Sequence, residues 1–154
     1  MALETQMSLT DETLKTLNDL IQVNVDAQKG FEEAASEVKD TKLSGMFREL
    51  AKERSCQSLE LQSLVLQNGE KPPTDGSITG MAHRAWMNLR TTLGGGNQVI
   101  LNEAERGEDH IKAKYEKALK CCAGSAVTDV LNRQYIAVQK AHDQVRDLRD
   151  SCCA

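Results

Sequence analysis

Residues 105 to 110 read E-R-G-E-D-H. On a helix, the spacing of Glu105 and Glu108 places both carboxylates on one face. Asp109 and His110 follow directly. Carboxylates beside an imidazole are donors suited to iron, manganese or zinc. With His142 from later in the chain, Glu105 and Glu108 form the candidate metal set, and Asp109 is a further donor within reach. The competing reading is a solvated acidic helix surface beside a partly buried histidine. Gly107 sits next to Glu108, where a missing side chain lets a neighbouring helix, or Arg54, come close.

The chemistry that bundled helices perform with two metals needs a glutamate from each of two helices. Each of the other two supplies a Glu-x-x-His pair, whose spacing aims carboxylate and imidazole at one ion. The histidines are His83, His110 and His142, and the residues three before them are Gly80, Gly107 and Gln139. No Glu-x-x-His exists in the sequence. At that spacing the second helical segment offers Arg54 and Gln57 instead. A guanidinium stays protonated and has no lone pair to give, so it repels a dication. Arg54 is therefore read as supplying the positive charge a metal would supply, with Glu108 as its partner. Asn24, Gln28, Gln57 and Gln134 complete the hydrogen bonds. On this reading there is no resident cofactor and the metal centre is degenerate. The alternative is a metal-binding oxidoreductase or store holding iron, manganese or zinc on Glu105, Glu108 and His142. Glycines 94 to 96 lack the Lys-Ser/Thr and the preceding strand of a phosphate loop. Nothing local supports a nucleophilic Ser, Cys or His.

Helices must place these residues. A seam runs through Leu14, Leu17, Ile21, Asn24, Gln28, Phe31, Ala35 and Val38, in alternating steps of three and four. Ser8 or Thr10 can cap its start. A second seam follows a corner at Asp40-Thr41: Leu43, Phe47, Leu50, Arg54, Gln57, Leu61 and Leu64. A third is Leu101, Ala104, Glu108, Ile111, Tyr115 and Ala118. The last is Val127, Leu131, Gln134, Val138, Ala141, Val145 and Leu148. The polar members fall near mid-helix in each. The pattern predicts long helices over about 10–39, 42–68, 97–120 and 126–150, with a shorter crossover helix at about 78–93 after the K-P-P-T-D-G stretch. On that crossover Trp86 and Leu89 are expected to plug one side of the bundle. Tyr135, on the last helix, is a candidate to bond across it. The fold class is all-α: a single ferritin-like four-helix bundle spanning 1–154, up-down-down-up.

The chain of 154 residues is long enough for one core, and with aromatics at 3% that core must be aliphatic. A net charge of -4 argues against nucleic acid or an anionic membrane surface as partner. No apolar run is long enough to span a bilayer. The first residues, MALETQMSLTDE, do not read as a signal peptide, so the expected compartment is the cytoplasm. The protein is expected to bind or interact rather than catalyse, and a homo-oligomer formed through an outer helix face is one possibility. Five cysteines stand at 56, 121, 122, 152 and 153, with no C-x-x-C. If one helix separates the two Cys-Cys pairs, its rise holds them roughly 37 Å apart and excludes a shared zinc site. Free thiols are the expected state.

Five stretches together resemble the bacterial PA2169-type four-helix-bundle family, a ferritin-like domain of unknown function. They are L-N-D-L-I-Q-V-N-V-D-A-Q-K-G-F-E-E-A-A, M-F-R-E-L-A-K-E-R, H-R-A-W-M-N-L, E-A-E-R-G-E-D-H-I-K-A-K-Y-E-K-A-L and R-Q-Y-I-A-V-Q-K-A-H-D-Q-V-R-D-L-R-D. The resemblance covers nearly the whole chain. It implies the fold and carries no activity with it.

Overall fold

A computed structural model describes residues 4–73 and 96–152. Its helices are α1 (Asp11–Glu37), α2 (Thr41–Gln67), α3 (Asn97–Cys121) and α4 (Thr128–Cys152). Among the described residues no strand forms beyond an isolated bridge between Thr5 and Ser8. The expected crossover helix, with His83, Trp86 and Leu89, lies outside the described residues.

Local chemistry sets the ends. Thr10 is the N-cap of α1, its hydroxyl accepting from the Thr13 N–H, and acidic Asp11 and Glu12 favour the positive end of the helix dipole. Asp40 turns the chain into α2 by accepting from the N–H groups of Lys42 and Leu43. At the far end Asn68 is the C-cap, and Gly69 takes a φ of 75° that only glycine adopts without strain.

The ends of the helices also fix the topology. Asn68 accepts from the Leu9 N–H at 2.8 Å and its amide donates to the Gln6 carbonyl at 2.8 Å, so α2 ends where α1 begins. Asn97 donates to Asp40 at 2.8 Å, so α3 starts beside the start of α2. The turn after α3 returns to the N-terminal segment, where Ser125 and the Ala126 N–H donate to Glu4. The order is therefore up-down-down-up: an all-α four-helix bundle. Around its circumference α1 packs on α2 and α3, and α3 packs on α4. The fourth side, α2 against α4, is bridged by polar side chains such as Arg133 and Glu60.

The core is aliphatic along these seams. Leu17, Ile21, Phe31, Phe47, Leu61, Leu101, Ile111, Leu131, Val138 and Val145 are all fully buried. The Phe31 and Phe47 rings stack with centroids 5.7 Å apart, tying α1 to α2 near their shared corner. No described helix is long and apolar enough to cross a membrane.

Candidate functional site

A layer of polar side chains crosses this core. Arg54 on α2 has no solvent exposure. Its Nη2 donates to Glu108 Oε2 at 2.8 Å and its Nη1 donates to Gln57 Oε1 at 2.7 Å. Glu108, on α3, is equally inaccessible. The ion pair therefore runs diagonally through the bundle, from α2 to α3.

Gln57 continues the layer toward α4. Its amide donates to the Gln134 carbonyl, and the Gln134 amide donates back to the Gln57 carbonyl, both at 3.3 Å. Gln134 also donates to Glu60 at 2.6 Å, and its Oε1 accepts from the Tyr115 hydroxyl at 2.7 Å. Tyr115 in turn accepts from Asn24 at 2.8 Å, and Asn24 donates to the Leu20 carbonyl of its own helix. The chain of bonds touches all four helices. Gln28 stands apart: it is partly exposed and donates to Glu32 on its own helix at 2.9 Å.

Burial governs the electrostatics. It pushes the Glu108 carboxyl up, while Arg54 beside it works in the opposite direction. Burial likewise raises the partly buried Glu53, against the pull of Arg54 and Lys140. It raises the Tyr115 phenol far out of the physiological range, so Tyr115 stays neutral and keeps the hydrogen it gives to Gln134. Three polar atoms of the layer, Asn24 Oδ1, Arg54 Nε and Glu108 Oε1, have no hydrogen-bond partner among the described residues.

On the flank between α3 and α4 lies a second group. His142 is 8% exposed. Its Nε2 lies 2.6 Å from Asp109 Oδ1 and 3.7 Å from Glu105 Oε1. Its Nδ1 lies 3.2 Å from Asp143 Oδ1, and that hydrogen bond holds the Asp143 carboxyl below its ordinary range. Glu105 is also paired with Arg149. One donor atom from each of Glu105, Asp109 and His142 falls within a 4.8 Å span. Of the candidate metal set, Glu105 and His142 thus come together with Asp109, whereas Glu108 is held by Arg54. His110, partly buried, is not in this group; burial and then Lys114 push its imidazole down.

Two participants escaped the seam pattern, and one expected participant is absent from the layer. Tyr115 counts there as an apolar residue, yet a buried phenol needs a partner for its hydroxyl, and that was the available signal. Glu60 lies off the seam and reaches in by its length. Tyr135, expected to bond across the bundle, instead accepts from Gln139 one turn along its own helix at 3.2 Å.

These features define a class: an all-α four-helix bundle whose core is crossed by a hydrogen-bonded layer built on a buried ion pair. Its sequence belongs to the family described as a domain of unknown function, DUF2383, whose profile matches residues 12–121. That match spans α1 to α3 and ends before α4, the helix that supplies Gln134 and His142. No curated protein matches the sequence.

Proposed function

We propose that this protein is a ferritin-like bundle of the cytoplasm with a binding or interaction role, whose metal layer has been replaced by an arginine–glutamate pair. One observation carries the reading: the Arg54 guanidinium, fully buried, sits 2.8 Å from Glu108 at mid-bundle. A dication placed there would meet a permanent positive charge and would compete for a carboxylate already bound. Gln57 and Gln134, which spend their amides on each other's carbonyls, are poor donors for such an ion. This disfavours the rival reading of an oxidoreductase or metal store centred on Glu105, Glu108 and His142.

The interaction role draws support from the outer surface. Leu59 and Leu66, each 60% exposed, lie a heptad apart on one face of α2, and Ile136 on α4 is 64% exposed. Self-association through an outer helix face is the simplest use for them. A cleft of about 1090 Å³ also opens between the two helices, lined by Lys42, Met46, Lys140 and Leu148 among others.

Metal analysis of tag-free protein grown with added iron and manganese tests the central reading. Fewer than two ions per chain is expected. A dinuclear load lost in Glu108→Gln would overturn it. Light scattering tests self-association, with Leu59→Glu expected to shift any dimer to monomer.

A further inference from the structure

We propose that the flank between α3 and α4 carries a mononuclear site for a divalent transition metal, with Glu105, Asp109 and His142 as ligands and Asp143 as the group that orients the histidine. None of its three ligands belongs to the polar layer, and the site does not require that layer to lack a metal. Glu105 and Asp109 stand one helical turn apart on α3 and face His142 Nε2 at 3.7 and 2.6 Å, close enough for one ion to reach all three. One imidazole nitrogen and two carboxylates are a donor set that zinc, cobalt, iron and manganese accept.

Two further observations point to a ligand. The first is Asp143, 3.2 Å from Nδ1, on the ring nitrogen that points away from Asp109 and Glu105. A carboxylate on the far nitrogen is how metal-binding histidines are held in the correct tautomer. The second is Glu108 Oε1. It is fully buried, takes no hydrogen bond among the described residues, and stands one helical turn from Glu105 on α3. It is near enough to His142 for that residue's charge to act on it. Positive charge arriving beside His142 would act on Oε1, the oxygen that Arg54 does not bond.

The chemistry of loading follows. The Nε2 lone pair, which faces Asp109 and Glu105, bonds the ion, and Nδ1–H is held by Asp143. Arg149 on Glu105 and Arg146 on Asp143 tie up part of the acidic charge. Both arginines compete with a cation for the site.

Cobalt(II) is the probe, because nitrogen and oxygen ligands give weak visible bands while thiolates add intense near-ultraviolet ones. The expected result for the full tag-free chain is one cobalt per chain with weak visible bands only. Asp109→Asn should weaken binding at least ten-fold, and Asp143→Asn about ten-fold. Asp109 is 61% exposed in its side chain, so that variant is expected to keep its helicity. The proposal is overturned by an absence of cobalt bands up to millimolar metal, by thiolate bands alone, or by an Asp109→Asn protein that binds as well as the parent. In those cases the cluster is an ion-pair clasp between α3 and α4 and nothing more.

Discussion

Arg54 and Glu108 meet across the diagonal of the bundle at 2.8 Å, and neither has any contact with solvent. Such a pair is more costly to halve than to remove. Glu108→Ala strands a guanidinium in the core and should cost ~3–5 kcal/mol. Replacing both residues by leucine should cost far less than the two single changes added together. The remaining penalty comes from Gln57, whose Oε1 loses the donor it had in Arg54, at ~1–3 kcal/mol. Urea unfolding of the two single variants and the double variant gives the cycle. Additive losses would mean that the two residues do not act as a pair.

Tyr115→Phe removes one oxygen and breaks two bonds. Asn24 loses its acceptor and Gln134 loses its donor, both inside the core. A loss of ~2 kcal/mol is expected, with the helical content unchanged. Tyr135→Phe provides the contrast. Among the described residues that hydroxyl accepts only from Gln139 on its own helix, and the change should fall within ~0.5 kcal/mol of the parent.

Glu4 gives a pH dependence. Partial burial pushes it upward, but bonds from Ser125, the Thr10 and Ala126 N–H groups and Thr13 outweigh that and lower it to about 2. A carboxylate depressed on folding contributes stability that is complete above its unfolded value of 4.5 and is lost as pH falls toward 2. Glu4→Gln should therefore cost on the order of 1 kcal/mol at neutral pH, a modest figure because the group is partly solvated. The difference should close between pH 4.5 and 2. Thermal melts of both proteins across that range make the measurement, and a gap that stays constant with pH would sink the assignment.

The thiols should sort by position. Cys56 and Cys121 are exposed, whereas Cys122 is buried and burial raises its thiol. Brief alkylation of the native protein, mapped by mass spectrometry, is expected to label Cys56 and Cys121 and to spare Cys122 until denaturant is added. Equal labelling of Cys121 and Cys122 would show that the end of α3 opens readily.

The bundle is legible because its signal is long and repetitive. Steps of three and four bring Leu17, Ile21, Phe31, Leu61, Leu101, Ile111, Leu131 and Val138 to one interior. The same steps put Asn24, Arg54, Gln57, Glu108 and Gln134 on that interior, since a polar residue on a seam has nowhere else to point. Gln28 shows where the count fails. Four residues advance a helix by more than a full turn, and at Gln28 the buried face of α1 has moved to Asp26 and Ala27, leaving Gln28 at the rim. The flank cluster was only half legible. The i, i+4 pairing of Glu105 with Asp109 can be read from the sequence. That it faces His142 depends on the axial register of α3 against α4, and no local pattern states that register. Glu108 stood in two readings, as the partner of Arg54 and as a metal ligand beside Glu105, and it is found bonded to Arg54.

Gln57 and Gln134 each reach past the other's side chain to the opposite main chain. This crossed pair works like a key in a slot. Sliding α2 along α4 by one turn, about 5.4 Å, would break both bonds at once and leave two amides in the core with nothing to meet. Short turns hold α1 to α2 and α3 to α4, but α2 and α4 are remote in sequence. Their axial alignment is set from inside. Any breathing of the bundle on this side must therefore be lateral, a parting of the two helices, and not a slip along the axis.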